Sequence, residues 1–196
     1  MKILMIIASY LAGSIPTGYL LVRLAGKKDV RKFGSGGTGA TNVFRLKGWK
    51  AALPVAVIDV AKGFLPVFLA SKWFADPVFA ALCGLAAVAG HCFPFSIGFR
   101  GGKGVATSLG VFAAIAWAPC LGCLGLFFLI VGLTRYVSLG SIIASLAFPL
   151  IVFATGGSRP AAAVALAIAL LVIARHRGNI GRILDGTERK LGEKVS

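Results

Sequence analysis

VATSLGVFAAIAWAPCLGCLGLFFLIVGLT, residues 105–134, runs for 30 residues without a charge. A helix needs about 20 mostly apolar residues to cross the hydrocarbon core of a bilayer. The stretch is therefore either one long tilted helix or two short helices broken near Pro119. Two halves of about 15 residues would each rise roughly 22 Å, thin for a bilayer. The choice sets whether the chain crosses an even or an odd number of times. Outward from this stretch lie further apolar runs, at 3–22, 51–71, 77–99, 137–158 and 160–174. The last is short, and Arg159 and Arg175 extend it by snorkelling.

Charge breaks the tie. With seven crossings, residues 23–50, 100–103, 135 and 175–194 share one side, and of the 21 Lys and Arg only Lys2, Lys62, Lys72 and Arg159 lie elsewhere. With six, the basic tail would face away from the basic first loop. The positive-inside rule selects seven, with the N-terminus outside and the C-terminus in the cytoplasm. The expected fold is an all-α polytopic transmembrane helix bundle, one domain over 1–196, in a bacterial cytoplasmic (inner) membrane.

Composition agrees. The chain is 58% hydrophobic and only 14% charged, where a soluble domain has about a quarter charged. Its net charge of +15 sits in short loops, not along a polar face, which argues against a nucleic-acid partner and for membrane lipids. Residues 3–22 have only Lys2 in front and no clean small-residue cleavage site, so they are expected to be a retained span. Cys83, Cys92, Cys120 and Cys123 lie in apolar runs. Cys120 and Cys123 have C-x-x-C spacing, but neither a second pair nor a histidine completes a metal site. Asp59 and Lys62 fall inside a span, three apart on one face. They read as an internal ion pair that orients the second helix, or as support for a site.

Seven crossings put four polar segments on the cytoplasmic side. The first is GSGGTGATNVFR, 34–45. It lacks the G-K-[ST] of a P-loop, but its glycines let backbone N–H groups approach an anion. Ser35, Gly36, Thr41 and Asn42 are candidate contacts, and Arg45 offers a planar fork for phosphate oxygens. The second is GHCFPFSIGFRGGKGVAT, 90–107. Gly101, Gly102 and Gly104 bracket Lys103 at a helix start, where free N–H groups, the positive dipole end and an ammonium coincide, and Thr107 follows one turn on. His91, three turns back in the preceding span, reads first as a packing residue. The third comprises Arg135, Ser138 and Ser141, spaced by three at a helix entrance. Interfacial anchoring accounts for it as well as ligand contact does. The fourth is RHRGNIGRILDGTERK, 175–190, with His176 and Asn179 three apart where the last span ends. A basic membrane-surface tail explains its arginines but not that pair.

No His-x4-Asp is present: five positions after His91 stands Ser96, and after His176 stands Gly181. The dyad of the common glycerolipid acyltransferases is therefore absent. The few acids near this face, Asp29, Asp185, Glu188 and Glu193, form no evident metal-holding cluster, so neither metal nor cofactor is expected.

GSIPTGYL (13–20), these two glycine-rich segments, RYVSLGS (135–141) and the 175–190 segment, in that order, resemble the successive motifs of the bacterial acyl-phosphate:glycerol-3-phosphate acyltransferase (PlsY) family over nearly the whole chain. Gly37 stands where Asn is common, and Arg100 where Lys is common. The resemblance implies that an acyl phosphate gives its fatty acyl group to the 1-hydroxyl of glycerol 3-phosphate. Lysophosphatidic acid and phosphate are the products, and this is the first acylation of phospholipid synthesis. An upstream acyl-phosphate-forming enzyme is an implied partner.

On this reading, Arg45, Lys103 and Ser35 hold the phosphate of glycerol 3-phosphate. Thr41, Asn42 and the backbone of 101–104 hold the acyl phosphate and meet the oxyanion at its carbonyl. His176 and Asn179 orient the hydroxyl, with either His176 or a substrate phosphate as base. The competing classes are a transporter or channel for an organic phosphate, and a metal-dependent phosphotransferase. The chain shows neither the internal repeat frequent in the former nor the acid cluster of the latter.

Overall fold

The computed structural model describes residues 1–26 and 28–193. Lys27 and Lys194, counted above among the basic residues of the first loop and the tail, lie outside them. Every regular element among the described residues is helical.

The first span is bent. α1 (Lys2–Gly13) and α2 (Thr17–Leu24) join through a break at Ser14, Ile15 and Pro16. A short helix, α3 (Ala40–Lys47), follows the glycine-rich loop. α4 (Trp49–Phe74) carries Pro54 and Pro66 within it, and α5 (Pro77–Cys92) starts with proline at its first position, where the missing N–H has no helical partner to lose. Lys2 pairs with Asp76 at 2.8 Å, so the start of the chain sits at the end of the bundle where α4 turns into α5.

The stretch 105–134 is two helices, α6 (Val105–Ile115) and α7 (Trp117–Thr134). The break lies at Ala116, extended at φ −155° and ψ 93°, and not at Pro119. Pro119 instead occupies the first turn of α7, where proline is tolerated. α8 (Val137–Ala154), α9 (Arg159–Arg175) and the short α10 (Arg177–Leu184) complete the chain. By length and apolarity five helical runs suffice to cross a membrane: Lys2–Leu24, Trp49–Phe74, Pro77–Ile97, Trp117–Thr134 and Val137–Ala154. α9 and α10, bent by 58°, qualify together as a sixth. α6, with 11 residues, rises only about 16 Å. It can be short because it packs inside the bundle, with Thr107, Ser108, Gly110, Val111 and Phe112 all buried.

Small residues set the closest helix approaches, as expected where lipid gives little hydrophobic drive for helix association. A methyl placed on Gly63 of α4 would stand 2.0 Å from the Thr107 carbonyl oxygen of α6, and one on Gly110 would stand 2.0 Å from the Val60 carbonyl oxygen. Both obstacles are backbone, which no rotamer change relieves. Gly63→Ala is therefore expected to destabilise the protein by about 1–3 kcal/mol, seen as a melting point in detergent lower by about 3–10 °C. A melting point equal to the parent's would mean that α4 and α6 are not this close.

The pair inside the second span is real. Lys62 Nζ lies 2.9 Å from Asp59 Oδ1, both side chains are buried, and the same ammonium donates to the Ile15 carbonyl at 2.9 Å. That carbonyl lacks a helical partner at the α1–α2 break, so the pair ties α4 to the bent first span.

Candidate active site

Two interactions shape the loop before α3. Gly34 and Gly36 adopt positive φ (58° and 71°), and Asn42 gathers the loop around its side chain. Asn42 Nδ2 donates to the carbonyls of Val30, Phe33 and Gly37 at 2.9–3.0 Å, and its Oδ1 accepts from the Ser35 N–H at 3.0 Å. Asn42 borders the cavity described below, but its amide is committed to the loop. Its effect there is to aim Ser35, while Arg45, one turn along α3, faces the same space.

The Gly-Gly-Lys-Gly turn departs from the expected anion cradle. The N–H groups of Gly101 and Gly102 donate to the carbonyls of Cys92 (3.2 Å) and His91 (3.1 Å), closing the turn onto the end of α5. Their own carbonyls accept from Arg175 at 3.2 and 3.1 Å. A methyl on Gly102 would stand 2.1 Å from His91 Nε2. These two glycines are thus dictated by close packing, and their N–H groups are already used. What faces the cavity is Lys103, Gly104 and the first turn of α6. Thr107 is fully buried against α4 and does not reach the cavity, and Gly36 is exposed outside it.

From α8, Ser138 and Ser141 face the same space. Arg135 does not: its side chain donates to the Leu191 carbonyl at 2.9 Å, and the Leu191 N–H returns a bond to the Arg135 carbonyl at 2.7 Å, fastening the tail to the α7–α8 turn. The fastened tail brings in a residue not picked out from the sequence. Glu188 is buried, and its Oε1 accepts from Asn179 Nδ2 (2.6 Å) and Ser138 Oγ (2.7 Å), while Oε2 accepts from Arg182 Nε (2.8 Å). Burial raises its pKa, but the bonds from Asn179, Ser138 and Arg182 outweigh burial and hold it below the usual glutamate value. A clue did exist: the chain has only six acids against 21 bases, and this one stands in its most basic segment.

His176 lies between α9 and α10. Its Nδ1 is 2.7 Å from the Val172 carbonyl oxygen, which can only accept, so Nδ1 carries the proton and Nε2 is the free lone pair. Burial and the nearby Lys103 push His176 down to about 4. Burial, with further cations of this cluster, pushes Lys103 down to about 8, Glu188 opposing. Deeper in, His91 Nδ1 lies 3.7 Å from Asp59 Oδ1, and both also border the cavity.

Ser35, Thr41, Asn42, Arg45, Lys103, Gly104, Ser138, Ser141, His176 and Asn179 thus line one cavity of about 250 Å³. Gly36, Gly101, Gly102 and Thr107 do not. Beyond the cationic rim the cavity continues between α6, α7 and α8, past Leu109, Phe112, Leu124 and Phe127. The structure is that of a helical integral membrane protein in which this cavity joins a cationic mouth to an apolar bore. The sequence profile described as glycerol-3-phosphate acyltransferase matches residues 3–186, and the chain belongs to that family.

Relatives agree over nearly full length. The chain is 46% identical over 193 residues to the glycerol-3-phosphate acyltransferase of Synechococcus sp. (strain CC9902), covering 98% of this chain and 96% of that one. It is 47% identical over 190 residues to that of Geobacter sulfurreducens, covering 96% and 97%. A crystal structure of PlsY, an integral membrane glycerol 3-phosphate acyltransferase, in its glycerol 3-phosphate form superposes with a TM-score of 0.94 at 41% identity, over 97% of this chain and 96% of that one. The lysophosphatidic acid form gives 0.91 at 40%.

Proposed function

We propose that this chain moves a fatty acyl group from an acyl phosphate to the 1-hydroxyl of glycerol 3-phosphate, giving lysophosphatidic acid and inorganic phosphate. The observation that carries the reading is the joining, in one cavity, of the cations Arg45 and Lys103 to a bore walled by Leu109, Phe112, Leu124 and Phe127. Both substrates have an anionic head, and only the donor has a chain to bury. The related structures bound to glycerol 3-phosphate and to lysophosphatidic acid support the same acceptor and product.

Arg45, Lys103 and Ser35 hold the acceptor phosphate. Gly104 and the start of α6, with Thr41, face the acyl phosphate, and their N–H groups meet the carbonyl oxygen as charge develops on it. The hydroxyl oxygen bonds to the acyl carbon, the carbon–oxygen bond to phosphate breaks, and phosphate leaves. His176 Nε2 accepts a hydrogen bond from the attacking hydroxyl and orients it. A base near 4 removes protons poorly at neutral pH. A phosphate, with a second pKa of about 6, accepts the proton. His176→Asn is then expected to keep more activity than His176→Ala, which loses about 100-fold in kcat. Equal losses in both would make the imidazole the base, and near-normal turnover in both would remove His176 from the reaction.

The same proposal places the chain, as one domain, in the bacterial inner membrane. It crosses seven times with the mouth facing the cytoplasm, where an acyl-phosphate-forming enzyme supplies the donor. Basic residues concentrated at the mouth end support that orientation. The test uses the detergent-purified protein with chelator present. Acyl phosphate plus glycerol 3-phosphate should release phosphate and form lysophosphatidic acid in equal amounts. Product from an acyl thioester alone would overturn the donor, and uptake of glycerol 3-phosphate into sealed vesicles without acylation would make the protein a transporter.

A further inference from the structure

α6 and α8 both leave the mouth of the cavity and run in the same direction, α6 from just after Lys103 and α8 from just before Ser138. Along α6 the wall is formed by Val105, Leu109 and then Phe112, the last about 10 Å below the first. Along α8 it is formed by Ser138, Ser141 and Ser145, and it ends there. One turn beyond Ser145 stands Phe148, fully buried, its ring stacked on that of Phe112 with centroids 4.0 Å apart and planes 6° from parallel.

A second cavity, about 360 Å³, lies further along the same helices, and neither ring of the pair lines it. Its wall includes Ala114, Ile115 and Ala116, just past Phe112, and Val152, one turn past Phe148. Just above the pair the bore is bordered by small side chains, Cys120 and Cys123 of α7 and Ala144 and Ser145 of α8. Space thus exists at either end of these helices, with the two stacked rings in the turns between.

We infer that the Phe112–Phe148 stack is the floor of the acyl bore and fixes the length of donor the enzyme prefers. The inference rests on the acyl-transfer reading above. The methyl end of the chain meets the ring of Phe112. A longer chain must fold back or bend out between helices, which strains it against its fixed head. Removing the ring lengthens the bore by about one helical turn toward the second cavity.

The test compares parent, Phe112→Ala, Phe112→Leu and Ser145→Leu, each purified in detergent. Acyl phosphates graded in length from butanoyl to icosanoyl serve as donors at saturating glycerol 3-phosphate. Phe112→Ala should move the optimum up by about four carbons, the extended length that matches one helical turn, with Phe112→Leu shifting part of the way. Ser145→Leu, which adds bulk above the floor, should move it down. A parent that uses no acyl phosphate would sink the acyl-transfer reading itself. A parent that does, with variants keeping its optimum, would overturn the floor alone. If Phe112→Ala does not fold, the opposite shifts expected of Phe112→Leu and Ser145→Leu decide.

Discussion

Replacing Lys103 with methionine is expected to lower kcat/KM for glycerol 3-phosphate by about 10²–10³. Methionine keeps most of the volume and removes the charge, so the loss reads the ammonium and not the packing of the turn. The size follows from position. Lys103 sits at the mouth of the cavity beside the N-terminus of α6, where burial has already stripped much of its water and lowered its pKa to about 8. An ammonium that is poorly solvated in the empty site gains more from a phosphate than one in open water would. The same displacement gives a pH signature. Lys103 is charged below about 8 and loses the charge above it, so kcat/KM, which reports the free enzyme, should fall on that alkaline side. A bound phosphate favours the ammonium, so the matching fall in kcat should come at higher pH. His176, neutral above about 4, should add no acid limb near the usual histidine value. An alkaline limb that survives in Lys103→Met belongs to another group and would remove Lys103 from the phosphate site.

How much of this was legible in the sequence depended on whether a feature was local. Basic residues around apolar runs located the mouth, because loop charge and span length are both read directly along the chain. The split of residues 105–134 followed from loop charge, since seven crossings need two helices there, but its place was off by three residues. Proline drew attention to 119, whereas the chain turns at Ala116 and uses Pro119 to begin the next helix. Glycines misled for a related reason. Gly101 and Gly102 beside a lysine read as an anion cradle, yet the same residues are required when a backbone passes against His91 from another element. Only the fold separates those causes. Asn42 looks like a ligand donor in sequence, but its bonds reach back as far as Val30. The bore was invisible, since Leu109, Phe112, Leu124 and Phe127 are no different in hydropathy from side chains that face lipid or core.

Glu188 is the residue whose loss should damage the fold and the site together. Glu188→Ala is expected to destabilise the protein by about 2–5 kcal/mol, because it leaves Asn179 Nδ2 and Ser138 Oγ buried without their partner. For a chain of this length that is about 5–15 °C in melting point. The Arg182 side chain is 43% exposed, so its share of the ion pair is screened and adds little. Glu188→Gln keeps the shape and one accepting oxygen, so its cost should be smaller, about 1–2 kcal/mol. The activity loss should exceed the stability loss in both variants, since Asn179 is released from the pose that sets it near His176. The sign with pH is fixed by the lowered carboxyl pKa. Stability from this group is present above the unfolded glutamate value and is lost as pH falls through the lower folded one. The parent's melting point should therefore drop in acid more steeply than that of Glu188→Gln. Equal slopes, with normal turnover in Glu188→Ala, would show that the tail merely rests on the bundle. Differing slopes would make residues 185–193 a clasp that must close before the anion site has its shape.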